Sequence, residues 1–214
     1  YGSRPAEEVR RLADESVAAL AGRGCKLVVV ACNTATAAAI DFLRGKYAAL
    51  PIVGMEPAVK PACLETRSRI VGVLATERSL DGELFRRTAA RYAQDVEVLA
   101  VPGTGFVELV EQDLEATPEA EACVRRVVEP LLDRGADRIV LGCTHYPFLN
   151  PVFDRVIGGR DVRIVDPSPA VARRVEQLLA LHDLAASEDH AATYDFRTFA
   201  DEAYRRRLAA KALG

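Results

Sequence analysis

Two cysteines in the sequence directly follow apolar runs and are themselves followed by polar residues. Cys32 lies in the stretch "VVVACNTATA", and Cys143 lies in "RIVLGCTHYP". Each apolar run is typical of a buried parallel strand, and ligands of α/β proteins bind at the carboxyl ends of such strands. The neighbouring polar groups suit a carboxylate or an ammonium group, and they are Asn33, Thr34, Thr36, Thr144 and His145. We therefore expect one site that contains both thiols.

The residues after each cysteine can also open a helix. Because N-terminal amides and the helix dipole favour an anion, they are expected to lower the pKa of each thiol from its usual value of about 8.5. The simpler alternative is that the polar residues cap the helices and the thiols pack in the core. One such motif does not decide between these interpretations, but its occurrence twice favours a site.

Two thiols in one site are compatible with several kinds of chemistry. A metal site needs more ligands than Cys143 and His145 supply, and a dithiol redox pair usually has CxxC spacing. A Cys–His hydrolase leaves the second cysteine unexplained. Proton transfer by two bases needs this symmetry, because one group removes a proton from one face of a carbon and the other adds a proton to the opposite face.

The remaining composition restricts location and partners. Cys25, Cys63 and Cys123 show no disulfide pattern and are predicted to pack as small core residues in a reducing cytoplasm. The net charge of −3 and the lack of a basic stretch give no indication of nucleic-acid binding. No apolar run is long enough to span a bilayer, and the opening "YGSRPAEEVRR" lacks the apolar core of a signal peptide.

Apolar β-branched runs alternate with helical periodicity along the chain. The predicted strands are 26–31, 51–54, 69–75, 96–101, 138–142 and 162–166. Between them, one helix is predicted to carry Val9, Leu12, Val17 and Leu20 on one face. Another is predicted to begin at Thr117-Pro118 and to end at Gly135, and a third to begin at Ser168 with Val171, Val175, Leu178 and Leu179 inward. The pattern predicts an α/β fold with mainly parallel strands in one or two sheets, buried on both faces.

The sequence resembles the glutamate racemases. The resemblance is carried by "VVACNTATA" and "VLGCTHYPFL", with support from "YGSRP", "GVLATERS" and "FVELVE". It implies two pseudo-symmetric α/β lobes with the active site in the cleft between them. It also implies an enzyme without cofactor or metal that interconverts L- and D-glutamate and supplies D-glutamate for peptidoglycan.

The resemblance assigns roles to individual residues. It implies that Cys32 handles the proton of D-glutamate, that Cys143 handles the proton of L-glutamate, and that His145 and Glu111 assist the second thiol. The implied substrate-binding residues are Tyr1, Gly2, Asn33, Thr34, Thr76, Ser79, Thr144 and His145. Serine at position 79 is a departure from the threonine usual in the family.

The resemblance also carries expectations about organisation and partners. The family has a strand and an Asp-Ser loop upstream of the segment that matches Tyr1, and the present sequence begins after them. The expected lobes are 1–57 with 167–214, and 58–166. The family implies a homodimer, and some members bind DNA gyrase. The alternatives are a racemase for another acidic amino acid, or a non-catalytic regulator that binds gyrase.

Overall fold

Six strands and ten α-helices make up the part of the protein that its computed structural model describes, residues 4–198 and 200–213. The chain divides into two compact units, Tyr1–Leu184 and Ala185–Gly214. The strands are β1 (Val28–Val30), β2 (Ile52–Gly54), β3 (Ile70–Ala75), β4 (Glu97–Pro102), β5 (Arg138–Gly142) and β6 (Arg163–Val165). Each lies within or next to a predicted strand, which confirms those predictions.

The helices fill the intervals between the strands and extend beyond the last one. They are α1 (Ala6–Ala21), α2 (Asn33–Lys46), α3 (Val59–Glu65), α4 (Glu77–Leu80), α5 (Glu83–Tyr92), α6 (Phe106–Glu111), α7 (Pro118–Asp133), α8 (Asn150–Ile157), α9 (Ser168–Leu181) and α10 (Glu202–Leu213). A 3-10 helix covers Tyr146–Leu149. Helix α10 belongs to the second compact unit, and the other helices belong to the first.

The strands form two separate sheets, and all the observed pairings are parallel. The first sheet contains β1 and β2, and the second has the order β4-β3-β5-β6. Cys32 follows a strand of the first sheet and Cys143 follows a strand of the second. The lobe boundaries 1–57 with 167–214, and 58–166, stay a prediction.

Helices α1 and α2 pack with the first sheet and bury a small core. Val17 of α1, Val28 of β1 and Leu43 of α2 are buried in one cluster. Leu20 shares the predicted apolar face of α1 but is 39% exposed near the end of the helix. Val29 is also 36% exposed, so β1 is not covered on both faces as expected for every strand.

The second sheet carries the larger core. Strands β3 and β5 are central, and α6, α7, α8 and the 3-10 helix contribute to the cluster on one side of them. The aromatic side chains of Tyr146 and Phe153 both meet the Phe106 ring edge-on, with ring centroids 5.2 and 5.8 Å away. A second cluster joins α3 and α5 to the same strands. Burial on both sides explains the continuous apolar sequence of β3 and of β5 from Ile139 onward.

The helix boundaries follow the local signals in two of the predicted cases. The Thr117 hydroxyl accepts a hydrogen bond from the amide of Ala120, Pro118 is the first residue of α7, and Gly135 follows the helix in a left-handed conformation. Helix α9 begins at Ser168, as expected. Within α9, however, Leu178 alone is fully buried, so the predicted inward face is only half-buried at its other three positions.

Candidate active site

A cavity of about 640 Å³ lies where the carboxyl ends of β1, β3, β4 and β5 meet. Its walls contain both predicted thiols and several hydrogen-bonding groups. The lining residues are Cys32, Asn33, Thr34, Ala75, Thr76, Glu77, Pro102, Gly103, Thr104, Gly105, Val107, Glu108, Gly142, Cys143, Thr144, His145 and Tyr146. The chain therefore brings two distant cysteine motifs, from two different sheets, to one cavity.

Cys32 is the residue that caps the amino end of α2. Its backbone is extended, with φ of −147°, and its sulfur accepts a hydrogen bond from the amide of Ala35 at 3.4 Å. The local sequence thus places this thiol at a helix start, as the motif predicts.

Cys143 lies in a different environment. The residues after it form the 3-10 helix Tyr146–Leu149, and the α-helix begins only at Asn150. Burial raises the pKa of the Cys143 thiol to about 11, and the nearby charge of Cys32 adds to the increase. The predicted lowering of this pKa by a helix dipole is therefore wrong, because loss of solvation outweighs the amide hydrogen bonds.

Close packing fixes the backbone that leads into Cys143. A β-carbon on Gly142 would lie 2.6 Å from the β-carbon of Ala75 and 2.8 Å from the carbonyl oxygen of Leu74. Real side chains do not approach so closely, so only glycine allows β5 to pass this end of β3 without displacement. The glycine before the second cysteine is therefore required by packing.

His145 connects Cys143 to a carboxylate. Its Nε2 lies 2.7 Å from Oε1 of Glu111, and its Nδ1 lies 3.8 Å from the sulfur of Cys143. Because an ionised carboxylate only accepts hydrogen bonds, Nε2 carries a hydrogen and donates a hydrogen bond to Glu111. The lone pair of Nδ1 then faces the thiol. This arrangement allows His145 to accept the thiol proton, while Glu111 stabilises the resulting imidazolium.

Three predicted substrate-binding hydroxyls lie together at the α2 side of the cavity. Thr34 and Thr76 line the wall. Ser79 does not; it is only 4% exposed and its oxygen lies 3.0 Å from that of Thr34. Thr76 donates to Ser79 at 2.9 Å and also caps α4.

Asn33 is the clearest sign that the cavity binds a polar ligand. The residue is only 4% exposed, yet among the residues that the structure describes neither its amide nitrogen nor its amide oxygen has a hydrogen-bond partner. Leaving such groups buried and unpaired costs about 1–3 kcal/mol each. Since Asn33 lines the cavity, a ligand with both donors and acceptors would satisfy it. Thr144 lines the wall as well, whereas Tyr1 and Gly2 lie outside the described residues.

Sequence reasoning missed one wall of the cavity. The turn Gly103–Gly105 follows β4 at the same edge as the thiols, and Glu77, Glu108 and Tyr146 complete this side. The "PGTG" segment after an apolar strand was the available signal. The Tyr146 hydroxyl donates to the carbonyl of Gly103 at 3.4 Å, which joins this turn to the Cys143 motif.

The remaining cysteines take no part in the cavity. Cys63 and Cys123 are buried and Cys25 is half-buried, each against a hydrophobic cluster. Burial raises the pKa of Cys63. In the part of the chain that the structure describes, no three His, Cys, Asp or Glu side chains come together as a metal site. Nor does any helix found there have the length and apolar character to cross a membrane.

Comparison with known proteins identifies the family. Residues 3–175 match the Asp/Glu/Hydantoin racemase family. The chain is 51% identical to the glutamate racemase of Roseiflexus sp. (strain RS-1) over 179 residues, which cover 84% of this chain and 65% of the relative. It is 44% identical to that of Herpetosiphon aurantiacus over 204 residues, which cover 95% of this chain and 80% of the relative.

A solved structure gives the same result for the fold. The Escherichia coli glutamate racemase, in complex with L-glutamate and the activator UDP-MurNAc-ala, matches the whole of this chain and 80% of its own, with a TM-score of 0.82 and 30% identity. The expected α/β fold with two lobes of parallel sheets is thereby confirmed. The chain belongs to the Asp/Glu/Hydantoin racemase family and, within it, to the glutamate racemases, a class of isomerases.

Proposed function

We propose that the protein interconverts L- and D-glutamate without a cofactor, by proton transfer between the substrate and two cysteines. The observation that carries this proposal is the presence of Cys32 and Cys143, from two different sheets, on the walls of one cavity. The named activity of the relatives from Roseiflexus, Herpetosiphon and E. coli supports glutamate as the substrate.

The proposed reaction moves one proton on each face of the α-carbon. With D-glutamate, the Cys32 thiolate removes the α-proton, and the Cys143 thiol donates its proton to the opposite face. L-glutamate leaves, with Cys32 protonated and Cys143 ionised. This is the state that removes the proton from L-glutamate in the reverse direction, so the two roles exchange without any other reagent.

The raised pKa of Cys143 suits the role of the acid in the empty site. With a pKa of about 11, the thiol is protonated at neutral pH and ready to act as the acid. To act as the base it must lose a proton, which costs about 5 kcal/mol at pH 7 in the empty site. Transfer to Nδ1 of His145, with Glu111 behind it, provides a route for that proton. A thiolate of high pKa is in turn a stronger base toward a weakly acidic carbon.

The transition state requires stabilisation of negative charge on the substrate. As the α-proton leaves, charge accumulates on the α-carboxylate, and donors aimed at its oxygens lower the barrier. The buried amide of Asn33 and the hydroxyls of Thr34 and Thr144 line the cavity and supply such donors. We propose that these three residues bind the polar groups at the α-carbon, and that the D-glutamate formed enters the cell-wall peptide.

The test measures racemisation of each enantiomer by the purified protein, from the change in optical rotation or circular dichroism. We expect L- and D-glutamate to converge on an equal mixture, with no added cofactor. Because the enantiomers have equal free energies, kcat/KM is expected to be the same in both directions. Faster racemisation of aspartate would indicate another acidic amino acid as the substrate. No turnover of either amino acid would contradict the proposed activity.

A further inference from the structure

Thr34, Thr76 and Ser79 form a closed ring of hydroxyl groups beside the cavity. The three oxygen–oxygen distances are 3.2 Å between the threonines, 3.0 Å from Thr34 to Ser79 and 2.9 Å from Thr76 to Ser79. The two distances to Ser79 lie within the usual range of hydroxyl hydrogen bonds, and the distance between the threonines is slightly longer. Thr34 is on α2, within the Cys32 motif, whereas Thr76 and Ser79 belong to the segment after β3. The ring therefore connects elements of the two sheets.

Ser79 differs from the two threonines in its position. The threonines line the cavity, but Ser79 is absent from its walls and is 4% exposed. Its hydroxyl contacts both wall hydroxyls, and its amide donates to the oxygen of Thr76 at 3.3 Å. A residue placed behind the cavity wall in this way acts on a bound ligand through the two threonines that line the wall.

The hydroxyl protons define a donor-to-acceptor order around the ring. Thr76 donates to Ser79, so the proton of Ser79 is free to be donated to Thr34. The proton of Thr34 then points either to Thr76, along the longest edge of the ring, or into the cavity. A ligand oxygen can accept a hydrogen bond from Thr34 while the two shorter hydrogen bonds of the ring remain. A hydroxyl that accepts one hydrogen bond is also a better donor of the next, because such chains polarise one another.

We infer that Ser79 is a positioning residue that directs the hydroxyl of Thr34 toward a carboxylate oxygen of the substrate. The inference rests on the proposed function and deepens it, because it assigns Ser79 a role without substrate contact, unlike the role that the family resemblance implies. The end of the chain Thr76–Ser79–Thr34 presents a donor at this point of the wall, and a donor suits a carboxylate oxygen.

The experiment compares KM and kcat for both enantiomers in four forms of the protein: wild type, Ser79→Ala, Thr34→Ala and the double variant. Loss of the Ser79 hydroxyl is expected to raise KM about threefold to tenfold, the effect of one hydrogen bond, with a smaller change in kcat. The effect is partial because Thr76 can redirect its proton to Thr34. If Ser79 acts through Thr34, the double variant has the KM of Thr34→Ala alone.

Two further variants separate positioning from stability. Ser79→Thr keeps a hydroxyl and is expected to restore most of the affinity that Ser79→Ala loses. Ser16→Ala is the matched control, because it removes a hydroxyl that donates to the carbonyl of Leu12 in its own helix, and it is expected to leave KM unchanged. The inference would be overturned by additive effects of Ser79→Ala and Thr34→Ala on KM, or by an unchanged KM in Ser79→Ala. In either case, racemisation by the wild type would still support the proposed function. A wild type without racemisation would contradict both.

Discussion

The raised pKa of Cys143 predicts an unusual pH dependence for its alkylation. At pH 8 a thiol with a pKa of about 11 is about one part in a thousand thiolate, whereas an ordinary thiol is roughly one quarter ionised. The folded site therefore holds about 200-fold less thiolate. The higher basicity makes each thiolate roughly tenfold more reactive, so the net rate is about twentyfold below that of an ordinary thiol.

Iodoacetamide labelling followed by peptide mass spectrometry measures this rate at Cys143 alone. The same cysteine in the denatured protein is the reference, because it has the same sequence neighbours without the burial. In the folded protein we expect the rate to rise about tenfold for each pH step from 7 to 10, without levelling off. In the denatured protein it levels off near pH 9. A plateau below pH 9 in the folded protein would refute the conclusion that burial controls this thiol.

Three other changes have defined outcomes. The folded state holds the Cys143 proton more tightly than the unfolded state. The contribution of this proton to stability is therefore complete below about pH 8.5 and is lost as the pH rises toward 11. In urea unfolding, the free energy of unfolding of the wild type is expected to fall by about 3 kcal/mol over this range, and that fall is expected to be absent in Cys143→Ala. Glu111→Gln is expected to lower kcat/KM about 10- to 100-fold, equally for both enantiomers, because His145 loses its carboxylate partner; an unchanged rate would exclude that role. Gly142→Ala is expected to destabilise the protein by about 1–3 kcal/mol in thermal or urea unfolding, and wild-type stability would show that β5 can move away from β3.

The strands and the two thiols could be predicted from the sequence because their signals are local. Uninterrupted β-branched runs end at Gly142 or just before Cys32, and the order of strands and helices follows from such punctuation. A helix start with its cap, such as Thr117-Pro118, is also encoded in a few adjacent residues. These signals do not depend on which distant parts of the chain come into contact.

The properties that could not be predicted depend on distant parts of the chain. The pKa of Cys143 is set by burial, which the helix-dipole argument from its neighbours could not include. The contact between Thr34 and Ser79 exists only because α2 approaches the segment after β3. Leu20 fits the periodicity of α1 but lies near the end of the helix, where it is 39% exposed. Periodicity identifies a face, but it does not show how far the neighbouring layer extends.

Isotope exchange in single-cysteine variants tests the two-base account most directly. Each glutamate enantiomer is incubated in deuterium oxide with Cys32→Ser or Cys143→Ser, and deuterium at the α-carbon is measured before any inversion. We expect both variants to lose nearly all racemisation. Cys32→Ser is expected to exchange L-glutamate faster, because Cys143 remains, and Cys143→Ser is expected to exchange D-glutamate faster. Near-wild-type racemisation by either variant, or the same enantiomer preference in both, would contradict the assignment of one thiol to each face.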